Sequence, residues 1–490
     1  MNGLARAALL GVTILGAPAL AQVTPPPVAP TGAPTGALPA PVPVTAPAAA
    51  LPKLSPAQAK QLADLIAADE VAQGLQQKKR TDLAGLDNDA LVRAALDHAK
   101  AVKVGRLAPE DFQKDWGIRP RAYDPLPGFA EAVRGDRLAA WVRSLPPPYV
   151  GYDTLAAGLA RYRTIAAAGG WPVLAEAPKY GDRGPAVAKL RERLAIEDPS
   201  VNGTGDRFDA ALLDAVRRAQ KRYGLNPVGT LGTQTMAALN VPVSRRVQQI
   251  MANMERWRWL PTELDPKRVQ VNVAAAVLTV FDGDRPVMSM KAVTGRPGNE
   301  TPMLISQINS IVLNPPWNVP TSIATKELWP KEKASPGYLK RNGFRVIDTG
   351  DGGKRLQQSS EKSALGRYKF DFPNDFAVYL HDTPAQSGFS RFDRLASHGC
   401  VRLEKPGDLA KLLMQSTPDW PADKIDATVA AGKTVRAPMT QPVSVYLLYW
   451  TAFAGESGPV AFREDPYSWD ARLASTIERR SAAQTQLAAR

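Results

Sequence analysis

The sequence predicts a multidomain α+β fold: a helical scaffold, then a three-helix module, then a mainly β domain with a helical insert. At 490 residues the chain exceeds what one hydrophobic core usually organises, and roughly 150 residues per domain gives about three units. Its first half places apolar residues at helical spacing. After Lys267 the pattern changes to period-two runs of β-branched residues, which predict strands and hairpins.

The N-terminal segment has the pattern of an export signal followed by a linker. Residues 1–21 combine an Arg6-bearing head, a short apolar run and a small-residue ending at Ala21. We expect cleavage there, because an uncleaved membrane anchor needs about 20 apolar residues; retention as an anchor is the alternative. Residues 22–54 are rich in Pro and Ala and predict a linker without a core. We therefore expect an exported protein of the periplasm or cell envelope.

The folded part divides where the sequence pattern changes. Residues 55–176 hold short Ala- and Leu-rich helical segments interrupted by Pro or Gly, which predict the scaffold. Its His98 is expected to be structural or solvated rather than catalytic. Residues 177–243 predict the three-helix module, and residues 244–467 predict the β domain.

Two further segments have a less definite pattern. Residues 330–353 are rich in Lys, Gly and Asp and form either a mobile lid over the site or a surface loop. Residues 468–490 are expected to be a C-terminal tail. Strands are also expected at 310–314, 376–380 and 443–449.

The net charge of +14 favours anionic surroundings. For an exported protein, a wall polymer or a membrane surface fits this charge better than nucleic acid. A basic surface that only contacts solvent explains it as well.

Cys400, the only cysteine, carries the candidate chemistry. A single cysteine cannot form an internal disulfide, so its thiol is either buried and inert or reactive. Two of the three histidines, His381 and His398, lie close to it in sequence. A nucleophilic thiol needs a base or cation beside it, because thiolate is the reactive form. His381 can be that base if its strand end approaches the turn at Gly399, whose amide and that of Cys400 could face a developing oxyanion.

Other chemistries fit these residues less well. Three histidines, of which His98 is far away in sequence, make a poor zinc ligand set, so neither a metal nor another cofactor is expected. A papain-like or amidase site normally places cysteine before histidine, which is the opposite of the order here.

The stretch from Tyr379-Leu380-His381-Asp382 to Ser397-His398-Gly399-Cys400-Val401-Arg402 resembles the catalytic signature of the L,D-transpeptidase family. Segments at 314–320 and 446–452 resemble the larger, multidomain members. The resemblance implies that Cys400 is the nucleophile and His381 its general base. It implies oxyanion-hole or supporting positions for Ser397, His398 and Gly399. It implies substrate contacts for Arg402, Tyr379, Asp382, Trp317 and Asn318.

Residues 177–243 resemble the three-helix peptidoglycan-binding module, from the Gly181-Asp182-Arg183-Gly184 start to the closing Leu239-Asn240. Ala219 stands where that module usually has an aromatic residue, and Val228 where an acidic residue is common. Glycan binding and a purely structural role are therefore both open.

The resemblance implies an enzyme that cross-links peptidoglycan stems through a cysteine thioester, usually as 3-3 cross-links. Another donor position, as in 1-3 cross-links, and L,D-carboxypeptidase activity are alternatives. A non-catalytic peptidoglycan-binding protein is the alternative of another class. Implied partners are stem peptides and glycan, with carbapenem β-lactams as inhibitors. Neither nucleic acid nor an obligate protein partner is expected.

Overall fold

The computed structural model describes residues 50–75, 82–350, 353–455 and 460–488, with side chains up to residue 482. The predicted signal, residues 1–21, and most of the predicted linker lie outside the described residues. Within those ranges no helix is long and apolar enough to cross a membrane.

The predicted helical scaffold is confirmed. Its α-helices are α1 Pro56–Ala72, α2 Asn88–Val104, α3 Leu126–Arg134, α4 Leu138–Arg143 and α5 Val150–Ala167. Ser55 and Gln58 form a capping box that satisfies amides at the start of α1. The buried His98 places Nε2 2.8 Å from Asp69 Oδ2, so this histidine serves the scaffold core.

The three-helix module follows, with α6 Pro185–Glu197, α7 Ala210–Arg222 and α8 Thr233–Leu239. Buried Gln220 fixes the loop after α7: it accepts from the Gly229 amide at 2.8 Å and donates to the Thr230 carbonyl at 2.8 Å. Ala219, at the position where an aromatic was expected, is buried in the module core.

A buried carboxylate joins the module to the scaffold. Glu197 at the end of α6 pairs with Arg193 at 2.7 Å and accepts a hydrogen bond from Tyr162 on α5 at 2.5 Å. Tyr223, just after α7, donates to the same carboxylate. Helix α9 Val243–Trp257 then leads into the β domain.

The β domain is built from strands β1 Lys267–Asn272, β2 Val277–Asp282, β3 Arg285–Gly295, β4 Leu304–Leu313, β5 Trp317–Asn318, β6 Phe344–Asp348, β7 Lys354–Gln358, β8 Tyr368–Asp371, β9 Leu380–His381, β10 Leu395–Ser397, β11 Val401–Leu403, β12 Val435–Leu448, β13 Ala452–Ala454 and β14 Val460–Phe462. In the described part of the chain, the main sheet has nine strands in the order β10-β3-β11-β9-β8-β4-β12-β1-β2. Because β3 also pairs with β2, the sheet closes on itself.

The strand expected at 376–380 is wrong except at its last residue. Ala377 has φ +54°, and the Asn374 side chain accepts from the amides of Phe376 and Val378, so this stretch is a turn. Strand β9 begins only at Leu380.

The helical insert, defined here as residues 317–362, is larger than the 330–353 expected. It contains α10 Thr321–Ile323, a π-helical turn Ala324–Leu328, α11 Trp329–Ala334, α12 Tyr338–Arg341 and the small sheet β5-β7-β6. Its apolar residues form a cluster separate from the main core, namely Val319, Ala324, Leu328, Leu339 and Leu356. A lid role stays a prediction.

The C-terminal segment is helical where a tail was expected. After α13 Pro406–Leu413 and α14 Ala422–Ala430, helix α15 spans Trp469–Ala488. Trp469, Leu473 and Ile477 recur every four residues on one buried face. Asp470 pairs with Arg256 of α9 at 2.6 Å, so the helix is fastened to the rest of the fold.

Candidate active site

Cys400 lies in a tight turn between β10 and β11. Gly399 has φ +111°, a conformation that L side chains rarely adopt, and a Cβ there would lie 3.2 Å from the Glu300 carbonyl oxygen. Ser397 Oγ donates to the Cys400 carbonyl at 2.5 Å and accepts from the Gly399 amide at 3.1 Å. Thr301 Oγ1 donates to the Gly399 carbonyl at 2.7 Å. The turn is therefore fixed by hydrogen bonds of Ser397 within it and of Thr301 from the loop after β3.

Strand pairing places Cys400 beside Tyr379. β11 runs parallel to β9 with Val401 opposite Leu380 and Arg402 opposite His381, and the Val401 amide donates to the Tyr379 carbonyl at 3.1 Å. Since side chains alternate along a strand, Tyr379 and His381 share one face. The Tyr379 hydroxyl hydrogen-bonds the half-buried Cys400 thiol.

The surroundings of Cys400 favour the neutral thiol. Burial raises the pKa of Cys400 above its usual range, although the hydrogen bonds from Tyr379 and the charges of Lys369 and Arg402 oppose this. The Lys369 ammonium lies 4.5 Å from the centre of the Tyr379 ring. At neutral pH the resting nucleophile is therefore protonated.

His381 is buried and neutral. Its Nδ1 lies 2.5 Å from the Asp382 carbonyl oxygen, which can only accept, so Nδ1 carries the proton and Nε2 the lone pair. Burial, and then the charge of Arg402, lower the pKa of His381 to about 3. Its ring packs against the Tyr379 ring with centroids 5.5 Å apart. Among the hydrogen bonds of the described residues, none joins His381 directly to Cys400; Tyr379 contacts both.

Of the two turn amides expected to face a developing oxyanion, one is already used within the turn. The Gly399 amide is used by Ser397, whereas no hydrogen bond among the described residues uses the Cys400 amide, which leaves it as the oxyanion donor candidate. His398 faces the insert, with Nε2 2.6 Å from Glu327 Oε1 and 3.2 Å from Arg296 Nη2.

The residues expected to contact substrate fall into two groups. Arg402 and Trp317 lie at the site. The charge of Arg402 lowers the pKa of both His381 and Cys400, and the Trp317 side chain hydrogen-bonds Tyr379. Asp382 accepts from the Arg367 and Thr383 amides at 2.7 Å each and so supports the turn after His381. The exposed Asn318 accepts from Gln357 at 2.8 Å. Substrate contact by these residues stays a prediction.

Sequence reasoning missed the roles of Glu327, Arg296 and Thr301. Glu327 lies 71 residues from His398 in sequence, and the others sit in an irregular segment after β3, so no spacing rule connects them to the turn. Within the described ranges, no group of three or more His, Cys, Asp or Glu side chains could hold a metal ion.

All of the predicted site residues lie within residues 266–427, which match the family model of the L,D-transpeptidase catalytic domain. The chain contains an L,D-transpeptidase catalytic domain. Residues 47–159 match a model described as “Scaffold domain”, and residues 183–239 one described as “Putative peptidoglycan binding domain”. The L,D-transpeptidase domain is thus preceded by both helical units, although the boundaries drawn from the sequence stay predictions.

A curated relative and solved structures also resemble the chain. A “Putative L,D-transpeptidase” of Haemophilus influenzae is 31% identical over 253 residues, which are 48% of this chain. The matched part spans 51% of that relative, about half its length. An L,D-transpeptidase from Xylanimonas cellulosilytica is 17% identical with a TM-score of 0.20, covering 56% of this chain and 100% of that one. One from Stackebrandtia nassauensis is 16% identical with a TM-score of 0.23, covering 55% and 94%.

Proposed function

We propose that this chain cross-links peptidoglycan stem peptides by acyl transfer through a thioester at Cys400. The observation that carries the proposal is that Tyr379 contacts both the protonated, half-buried thiol of Cys400 and the neutral imidazole of His381, whose Nε2 is unprotonated. A thiol and a base in one small cluster are what acyl transfer through a cysteine requires.

The first half of the proposed reaction transfers the acyl group to Cys400 and forms the thioester. Because both groups rest neutral, the Cys400 proton passes to His381 Nε2 as sulfur bonds to the carbonyl carbon. The oxyanion forms near the Cys400 amide. When the carbon–nitrogen bond breaks, the departing amine takes the proton from His381, which leaves a neutral thioester.

The second half reverses these roles. An amine of a neighbouring stem adds to the thioester carbonyl and gives its proton to His381. The carbon–sulfur bond breaks, and the thiolate regains that proton. We propose that the insert acts as a lid that favours the amine by limiting water, since a thioester in an open cleft hydrolyses.

The module supports a wall polymer as substrate. Residues 183–239 match the model described as “Putative peptidoglycan binding domain”, and Glu197 fastens the module to the scaffold, so glycan bound there would bring stem peptides to this chain. We propose export to the periplasm or cell envelope, 3-3 cross-links as the main product, and carbapenems as inhibitors, because an opened β-lactam is an acyl donor to the same thiol.

The test is incubation of the purified chain with tetrapeptide muropeptides, followed by mass spectrometry of the products. The proposal expects dimers with 3-3 linkage; 1-3 dimers would change the donor position, and stems shortened by one residue would indicate L,D-carboxypeptidase activity. Cys400→Ala is expected to form none of these. Unchanged substrate with the parent chain, despite a reactive Cys400, would contradict the proposal and favour a wall-binding protein.

A further inference from the structure

The insert reaches the nucleophile turn through Glu327. Its Oε1 lies 2.6 Å from Nε2 of His398, two residues before Cys400. Arg296, which follows β3, places Nη2 3.2 Å from the same nitrogen and 3.7 Å from Glu327 Oε1. One carboxylate of the insert thus meets an imidazole and a guanidinium from the segments that follow β10 and β3.

These distances indicate which groups share the proton. A carboxylate accepts and a guanidinium donates, so His398 Nε2 cannot satisfy both partners at once. The shorter contact is to Glu327, which assigns the Nε2 proton to a hydrogen bond toward the carboxylate. Arg296 then balances the charge of Glu327 as an ion pair. Both Glu327 and His398 are partly exposed, so the contact can open without burying a lone charge.

The backbone at Glu327 is unusual. It lies in the π-helical turn Ala324–Leu328, between α10 and α11. A π-helical turn is rare and, where it interrupts an α-helix, is frequently found at functional sites. The apolar cluster of the insert is separate from the main core, so the insert can shift as a unit while the sheet stays closed.

We propose that Glu327 is a positioning residue: by pairing with His398 it holds the insert over the Cys400 thiol and fixes the turn that carries the Cys400 amide. Loss of the carboxylate releases the insert, which exposes the thiol to small reagents and weakens the binding of a donor stem. The effect on donor binding rests on the proposed function; the effect on the insert and the thiol does not.

The variants are Glu327→Ala and Glu327→Gln, with Glu361→Ala and Glu361→Gln as matched controls. Glu361 is an exposed carboxylate of the same insert and makes no ion pair with another described residue. Two readouts are independent of transpeptidation: hydrogen exchange of the amides at 321–343, and the rate at which iodoacetamide alkylates Cys400. Glu327→Ala is expected to raise both roughly 3- to 10-fold, the range for loss of one partly exposed hydrogen bond of ordinary strength.

Glu327→Gln is expected to lie between the parent chain and the alanine variant, because its amide oxygen still accepts from His398 but no longer pairs with Arg296. Both Glu361 variants should match the parent. With a muropeptide donor, Glu327→Ala should raise KM more than it lowers kcat, since the carboxylate does not touch the reacting atoms.

Exchange and alkylation rates equal to those of the parent chain would overturn the assignment of Glu327. Melting curves check that each variant folds. If the alanine variant is unstable, the nearly isosteric glutamine variant decides, and parent-like rates in it overturn the proposal. A parent chain that transfers no acyl group would instead contradict the proposed function. Hydrogen exchange and alkylation of Cys400 would still report on the role of Glu327.

Discussion

The Tyr379 side chain hydrogen-bonds the Cys400 thiol beside the parallel pairing of β9 and β11, whereas no hydrogen bond among the described residues joins His381 to Cys400. This hydrogen bond lowers the pKa of Cys400, against the larger opposite effect of burial. Tyr379 therefore tunes the thiol, in addition to the substrate contact predicted for it.

Tyr379→Phe should make Cys400 less reactive. Without the hydroxyl, one of the contacts that lower the pKa of Cys400 is lost, so less thiolate is present at a given pH. We expect alkylation by iodoacetamide at pH 8 to slow roughly 3- to 10-fold, the range for loss of one hydrogen bond, with unchanged melting temperature. Tyr180→Phe, at an exposed position of the module, is the control. An alkylation rate that stays constant in Tyr379→Phe would show that the hydroxyl does not act on the thiol.

Cys400→Ala should abolish acyl transfer and leave the fold intact. The side chain is half-buried in a turn that is held by Ser397 and Thr301 rather than by the sulfur. We expect no thioester mass on the intact protein and a free energy of unfolding within about 1 kcal/mol of the parent. Cross-linking by the purified variant would exclude Cys400 as the nucleophile.

The sequence signals that proved reliable were local ones. The positions of His381 and Cys400 on adjacent segments followed from the motif, and the period-two runs after Lys267 became β1 to β3. The parallel pairing that sets Tyr379 against Cys400 is a contact between distant segments, and alternation along β9 alone does not reveal its partner. The Glu327–His398 pair depends on how the insert folds back. Helix α15 was missed because only Trp469, Leu473 and Ile477 mark its apolar face, in a segment otherwise rich in Ala, polar and charged residues.

The pH dependence should distinguish a neutral pair from an ion pair. Since the pKa of His381 is lowered to about 3, the base stays neutral as pH falls from 8 to about 5, and it becomes protonated only near pH 3. The raised pKa of Cys400 means that alkylation keeps increasing through about pH 9. We expect kcat/KM for acyl transfer to show no inflection at pH 6 to 7. An inflection there that disappears in His381→Gln would show a thiolate–imidazolium pair instead.

Glu197 should contribute stability that depends on pH. Although burial opposes its ionisation, Arg193, Arg222 and hydrogen bonds from two tyrosines lower the pKa of Glu197 to about 2, from an unfolded value of 4.5. The folded pKa is the lower one, so this stability is fully present above the unfolded pKa and is lost as pH falls from 4.5 toward about 2.

Glu197→Gln should lower the free energy of unfolding by about 3–5 kcal/mol, measured with urea at pH 7, because it leaves Arg193 buried without a countercharge. Glu192→Gln, at an exposed position on the same helix, should cost about 0.5 kcal/mol or less. The difference between Glu197→Gln and the parent should shrink as pH is lowered below about 4, since protonation removes the same charge that the substitution removes. A difference that is constant from pH 7 to 3 would mean that Glu197 stabilises the junction between scaffold and module by packing and neutral hydrogen bonds, and not by its charge.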